Sequence, residues 1–455
     1  IDLDPDQYVV GRDQVYLSET RPFFLENSNF FATSYLTMFY SRRIGKRLYD
    51  TSGLYEDSEI IAGGRLTGKA DRFGYGAFYA HTDEAVSDMA AEPESDWGVA
   101  RLTYDVTPGG YVGLIGSGRL ARSVETRDGT ALPAYDYAAY ATDFDLYLGE
   151  RGEWNVLGMG VTDYDSRNPE GTIEDLHALG LKVGYTGEVV DTSLSYDQFT
   201  EDFNLDETGY MWTRGLGLRN FSYHLRFRFN FGSEAALRSL WLTGNADVHR
   251  GWDWEPAMDQ YGLELSSMLQ SGWLMGVESA YGHDWLLDPE SPVEYYYGLF
   301  WVNTPWAGMF TGNAFAFYGS LPDYTTGAEG DLLMASLEGS FRPVSPLQFS
   351  GRVEYYDWSF PADTTDYWGQ PARDYDIVIW LASLSYLFTR ELYLRLFAQG
   401  SSQNDLYALR ALVGAEYLPD SNIYLAYEQW RDDSSGDFRL VNQGVFLKAE
   451  YFLQF

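Results

Sequence analysis

Val445-Phe446-Leu447-Lys448-Ala449-Glu450-Tyr451-Phe452-Leu453-Gln454-Phe455 alternates with period two. Val445, Leu447, Ala449, Tyr451, Leu453 and Phe455 make one apolar face. Phe446, Lys448, Glu450, Phe452 and Gln454 make a mixed, largely polar one. Successive side chains of a strand point to opposite faces, so this pattern predicts a two-sided strand. A strand of about 9–11 residues, apolar outward and polar inward, is what crosses a bilayer in a β-barrel. A sheet packed on a soluble core could end the same way, so the rest of the chain has to decide.

The pattern recurs upstream. Phe221, Tyr223, Leu225, Phe227, Phe229 and Phe231 alternate with Ser222, His224, Arg226, Arg228 and Asn230. Leu347, Phe349, Gly351, Val353 and Tyr355 alternate with Gln348, Ser350, Arg352, Glu354 and Tyr356, and Leu392, Leu394, Leu396 and Ala398 with Tyr393, Arg395, Phe397 and Gln399. The apolar sets are expected to face lipid. The expected lumen-facing residues are His224, Arg226, Arg228, Arg352, Glu354, Lys448 and Glu450. The apolar-alternating end of the chain, closing on Phe455, resembles the C-terminal assembly signal of bacterial outer-membrane barrels.

Composition separates the barrel from a soluble sandwich or propeller. Aromatic residues are 17% of the 455, with 37 Tyr and 14 Trp, an excess that two interfacial girdles would use. No apolar run approaches the length of a membrane-spanning helix, which a chain crossing by half-apolar strands does not need. There is no Cys, so no disulfide or thiolate site. The first residue is Ile1 and no basic-then-apolar leader follows, which reads as a mature or trimmed piece of an exported protein. The net charge of −36 argues against nucleic acid as a partner, because phosphate contacts need a basic surface. Acidic residues such as Asp83, Glu84, Asp88, Glu92, Glu94 and Asp96 fall in loops and are expected to be solvated.

Strand candidates come in pairs joined by short Gly-, Pro- and Asp-rich turns, for example Lys69–Arg72, Thr107–Gly110 and Glu150–Glu153. Longer polar connections lie around 84–95, 123–134, 165–174, 201–218, 284–292, 320–330 and 359–373. Short turns at one end and long loops at the other are the layout of outer-membrane barrels, with the long loops extracellular. Adding an upward strand at Tyr35–Arg42 gives an even total. The expectation is an all-β fold: a transmembrane antiparallel β-barrel of about 22 strands, with 18–20 as alternatives, over residues 35–455. A barrel that wide needs an obstruction, so residues 1–34 are expected to be a plug or linker.

Arg21-Pro22-Phe23-Phe24-Leu25-Glu26-Asn27, then Phe39-Tyr40-Ser41-Arg42-Arg43-Ile44-Gly45, then Ile61-Ala62-Gly63-Gly64-Arg65-Leu66-Thr67-Gly68-Lys69 form a distinctive series. It resembles an uncharacterised family of bacterial outer-membrane β-barrels, a domain of unknown function often preceded by a module like the family-nine carbohydrate-binding modules. Asn27 stands where that family has Gly. The resemblance covers roughly residues 15–80 and implies the topology. Within the series, Arg21, Phe23, Phe24, Glu26, Arg42 and Arg43 are the candidate plug and anchor residues. The two arginines, on opposite faces of their strand, are expected to pair with plug carboxylates such as Glu19 or Glu26.

Little else carries chemistry. The five histidines, His81, His177, His224, His249 and His283, have no metal-ligand spacing. No nucleophile-elbow motif is evident. Asp2, Asp4 and Asp6 lack the Gly and distal Glu of a calcium loop and read as a solvated linker. No catalytic residue, metal or cofactor is expected. The leading expectation is a channel or transporter-like conduit for a solute or polymer. The alternatives are an anchor or scaffold barrel with a closed lumen and, behind it, a surface hydrolase. The expected partners are outer-membrane lipid, the barrel-assembly machinery, and a periplasmic or surface protein.

Overall fold

A computed structural model describes residues 19, 21–49, 55–87, 90–168, 170–171, 176–211, 217–285, 292–305, 308–323, 326–365, 369–403, 405–418, 421–434 and 436–449. Among these, 21 strands form a closed barrel in chain order, from Ile60–Ala70 and Phe73–Thr82 to Ser421–Asp432 and Arg439–Ala449. Every described register between successive wall strands is antiparallel, as in Leu425↔Leu447 and Tyr424↔Lys448. Closure leaves no open strand edge, which is what lets a sheet sit in hydrocarbon.

Alternation decides the two faces. In Phe73–Thr82, Gly74, Gly76, Phe78, Ala80 and Thr82 are buried, while Phe73, Tyr75 and Tyr79 are exposed. In Arg439–Ala449, Val445 and Leu447 are 70% and 76% exposed. Large apolar side chains on the open face of strand after strand have no reason to be there in water; they make the outward band that lipid covers. The chain is an outer-membrane β-barrel. Short turns join the strands at one end, as at Asp71-Arg72 and at Pro108-Gly109, where Gly109 takes a φ of 78° that a side chain would resist. The other end carries the longer connections, two of which form small hairpins, Ala85–Val86 with Ala91–Glu92 and Val124–Glu125 with Ala131–Leu132.

The chain divides into two compact units: residues 19–227 with 245–260, and residues 228–244 with 261–449. In the first, the buried wall side chains Phe78, Trp97, Val99, Ile115, Tyr137 and Met159 form one apolar cluster with Phe24, Phe31, Met38 and Ile44. The N-terminal segment thus packs on the inward face of the wall. In the second unit, the inward positions are more polar and more open, as described below.

The expected strand at Tyr35–Arg42 is not formed. The wall begins at Ile60, and Tyr35–Arg42 lies with the N-terminal segment instead, ending in a 3-10 turn at Ser41–Arg43. Its links to other backbone are the isolated bridge Thr37↔Tyr210 and the bond from Tyr40 N–H to the Thr208 carbonyl. Tyr35–Arg42 is as apolar as a wall strand because Met38 and Phe39 are needed for packing, not because they face lipid. Met38 is fully buried in the interior cluster. Losing this strand accounts for 21 in place of about 22. The interior segment consequently runs on to Ile44 rather than stopping at residue 34.

Candidate functional site

The site is the contact between the segment 19–45 and the wall of its own unit. Pro22 starts a one-turn helix, Pro22–Leu25, followed by a 3-10 turn at Ser28–Phe31; Asn27, at φ 53°, makes the corner between them. Asn tolerates the left-handed region better than most residues. This winding puts Phe23, Phe24 and Phe31 around Phe78 of the wall, with ring centres 5.8, 5.7 and 6.4 Å away, and Phe39 closes the group at 5.0 Å. Such aromatic contacts each add about 0.5–1.5 kcal/mol beyond the area they bury. Gly76 of the wall leaves room for Phe31, since a Cβ there would lie 3.0 Å from the ring.

Polar anchors tie the segment down. Arg21 donates to Glu19, to the Ile44 carbonyl at 2.7 Å and to the Ser41 carbonyl at 2.7 Å, and lies over the Phe24 ring at 4.2 Å. Burial by itself raises the Glu19 carboxyl; hydrogen bonds from Arg21 and Ser41 and the charge of Arg21 outweigh it and hold the group at about 2. Arg42 reaches the same carboxylate at 3.9 Å. Glu26 pairs with Arg65 of the first wall strand at 2.7 Å, and Arg65 also donates to the Phe23 carbonyl at 2.7 Å. The three segments that carry the family resemblance therefore meet one another through Arg21, Glu26 and Arg65.

Arg43 takes a different partner from the one expected. It pairs with Asp206 at 2.6 Å and donates to the Gly209 carbonyl, both in the 200–211 connection. The opposite-face argument for Arg42 and Arg43 fails with the strand it assumed. The 200–211 stretch turns inward: Tyr40 N–H donates to the Thr208 carbonyl at 2.8 Å and Tyr210 N–H to the Thr37 carbonyl at 2.9 Å, with Phe203, Leu205 and Met211 in the interior cluster. Within it, Glu207 accepts from Tyr135 and Arg167 at 2.7 Å and from Arg119 at 3.1 Å. Burial pushes the Glu207 carboxyl up, and those donors bring it net below its ordinary range. Arg119 also holds Glu92 at 2.6 Å. Glu92, expected to be solvated, is buried because Arg119 and Lys46 neutralise it.

Sequence reading missed the most deeply buried ion pair among the described residues. Arg101 and Asp143 are paired with side chains 1% and 0% exposed. Tyr111 donates to the same carboxylate at 3.0 Å, and so does the Ser34 amide at 3.1 Å. In the strand Ser95–Thr107, Trp97, Val99 and Arg101 alternate with Gly98, Ala100 and Leu102, so both faces look apolar and the pattern does not say which one Arg101 shares.

The expected lumen residues fall as follows. His224 bonds Asn245 at 2.8 Å, and Tyr223, Phe227 and Phe229 on the alternate positions are exposed; Arg226 and Arg228 share the His224 face. In the second unit, Arg352 and Glu354 pair along one face of their strand, joined by Tyr356 and separated from exposed Val353. Lys448 sits opposite Tyr424 in the register. Glu450 and the Asp2, Asp4 and Asp6 group lie outside the described residues. Among the described residues no cluster of ligating side chains suits a metal ion.

Fold and site together define a barrel whose wall is filled on one side by its own N-terminal segment. No family model matches the chain, and no curated protein matches it in sequence. Among solved structures it is similar to a mutant ferric enterobactin receptor, PfeA, of Pseudomonas aeruginosa, with a TM-score of 0.52 at 8% identity over 80% of this chain and 68% of that one. It is similar to the siderophore receptor PirA of Acinetobacter baumannii, with a TM-score of 0.51 at 8% identity over 84% and 73% of the chains. The copper transporter OprC gives 0.51 at 10% identity over 84% and 72%. At such identities the likeness is one of fold.

Proposed function

We propose that this barrel is a transporter-like conduit of the outer membrane, held shut by residues 19–45 and the inward 200–211 connection. The observation that carries this reading is the inward face of the second unit. There Arg410 pairs with Glu428 at 3.1 Å, Arg352 with Glu354, Tyr297 donates to Glu278 at 3.2 Å, and Gln348 bonds Ser340 at 2.9 Å. A wall that served only as an anchor has no use for a charged inner lining, whereas a polar lumen is what a conduit requires. The neighbours in fold carry names of receptors and a transporter, which agrees with this reading. The motif resemblance to the uncharacterised barrel family is part of the same proposal.

One feature favours the alternative, a closed anchor barrel: the interior cluster of the first unit is apolar and well packed rather than wet. Ion conductance in planar bilayers separates the two. Removing residues 1–45 is expected to raise single-channel conductance clearly above that of the intact chain. Equal conductance would favour the anchor.

A further inference from the structure

The outward face of the first unit has a feature that the conduit reading does not use. An apolar groove of about 860 Å³ runs across its strands, walled by Leu102, Leu114, Tyr140 and Leu179 and floored by outward-facing Gly116 and Gly160. The four walls are exposed side chains on the lipid side of the sheet. A Cβ placed at Gly160 would meet only the Thr142 hydroxyl, at 4.0 Å, so the floor is open there, while one at Gly116 would lie 3.4 Å from the Tyr140 ring that walls it. It runs from mid-strand, at Leu102 and Leu114, to the long-loop end, where His177 opens the strand His177–Thr186 and Gln198 lies near the end of Val190–Phe199.

His177 and Gln198, bonded at 3.0 Å, close one end of the groove. Next to them is a cation. Arg219 is the cross-strand partner of Gln198, its guanidinium lies 4.4 Å from the Trp252 ring centre and 4.7 Å from that of Trp254, and it donates to the Trp252 carbonyl at 2.8 Å. The Trp252 ring meets His177 edge-on at 6.1 Å. Trp254 holds its place at φ 68°, a conformation unfavourable for a bulky residue. Among the described residues no carboxylate pairs with Arg219, in a chain of net charge −36. Two indoles mark the depth of the headgroups, where such rings settle.

We propose that this groove binds one membrane lipid with a phosphate-bearing headgroup, an acyl chain lying over Gly116 and Gly160 and the phosphate facing Arg219. Charge complementarity selects the headgroup: an Arg held against two rings, with no carboxylate partner among the described residues, offers its remaining N–H donors to phosphate oxygens. The groove selects a chain over a compact anion. The proposal needs only the outward face and is independent of whether the lumen conducts.

The test uses the full chain in a neutral detergent, with lipid retention read by native mass spectrometry. Dioleoyl phosphatidic acid is expected to be retained in preference to dioleoylglycerol at equal concentration. Arg219→Gln is expected to weaken phosphatidic acid retention roughly fivefold, and Arg219→Lys to keep most of it. Gly160→Leu, which fills the floor and leaves the cation, should also weaken it, whereas Arg238→Gln, an exposed arginine in the other unit, should not. Equal retention of the two lipids, or unchanged retention in both Arg219→Gln and Gly160→Leu, would overturn the proposal. So would displacement of the lipid by millimolar inorganic phosphate, which would make this a free-anion site.

Discussion

The Ser34 amide donates to Asp143 Oδ2 at 3.1 Å across 109 positions of sequence, and the same carboxylate pairs with buried Arg101. One wall residue thus serves both the wall's own ion pair and the interior segment. Replacing one partner strands the other charge, which typically costs about 3–5 kcal/mol. Asp143→Leu alone is expected to lower the urea midpoint of the refolded barrel sharply. The double change Asp143→Leu with Arg101→Met is expected to be much milder, because no lone charge remains buried. A double variant as unstable as the single would contradict the buried pairing.

The Glu19 anchor carries a pH signature. Its folded value of about 2 lies below the ordinary 4.5. A depressed carboxyl contributes stability that is fully present above about pH 4.5 and is lost as pH falls toward 2. Hydrogen-exchange protection of residues 21–45, corrected for the intrinsic rate, should therefore drop between pH 5 and pH 2.5. Glu19→Gln should show the lower protection at both pH values. A flat response in the native chain would mean that Arg21 is held by its carbonyl contacts alone.

Gly180 faces inward beneath Tyr35, and a Cβ there would lie 2.5 Å from the ring. Gly180→Leu is expected to push Tyr35 off the wall and loosen the interior segment, seen as a rise in bilayer conductance or as new protease cleavage near residue 35. Gly98→Leu is the matched control. Gly98 faces outward with nothing within 4 Å of its would-be Cβ, so that change should leave both measurements unmoved.

Leu225 lies on the same strand face as exposed Tyr223 and Phe227, and its neighbour His224 bonds Asn245 on the other side. Leu225→Arg is expected to destabilise the barrel in lipid vesicles by about 2–4 kcal/mol if the position is near midplane. Ser222→Arg, on the polar face of the same strand, should cost far less. Equal costs would mean that the two faces of this strand are assigned the wrong way round.

How much of this was legible in the sequence differs from wall to interior. The wall was, because a strand in a barrel has one decision at each position, lipid or lumen, and period two records it residue by residue. Val445 and Leu447 against Phe446 and Lys448, or Tyr223 and Phe227 against His224 and Arg226, state their faces without help from any distant residue. The contact of Phe23 and Phe24 with the wall was foreshadowed too, since four aromatic residues in so short a polar-flanked segment have to be buried somewhere.

The interior was decided only in three dimensions. Tyr35–Arg42 is as apolar as a wall strand, yet Met38 fits the apolar interior and the backbone finds Thr208 and Tyr210 instead of a ladder partner. Local pattern cannot tell which of two apolar surfaces a side chain will meet. Likewise Arg43 with Asp206, Arg119 with Glu92 and Glu207, and Arg101 with Asp143 join positions that no spacing rule relates. A buried charge is tolerable only beside its partner, and which partner is near depends on how the long connections fold back through the barrel. Period two is a local code and suffices for the wall; packing and charge pairing are long-range and set the interior.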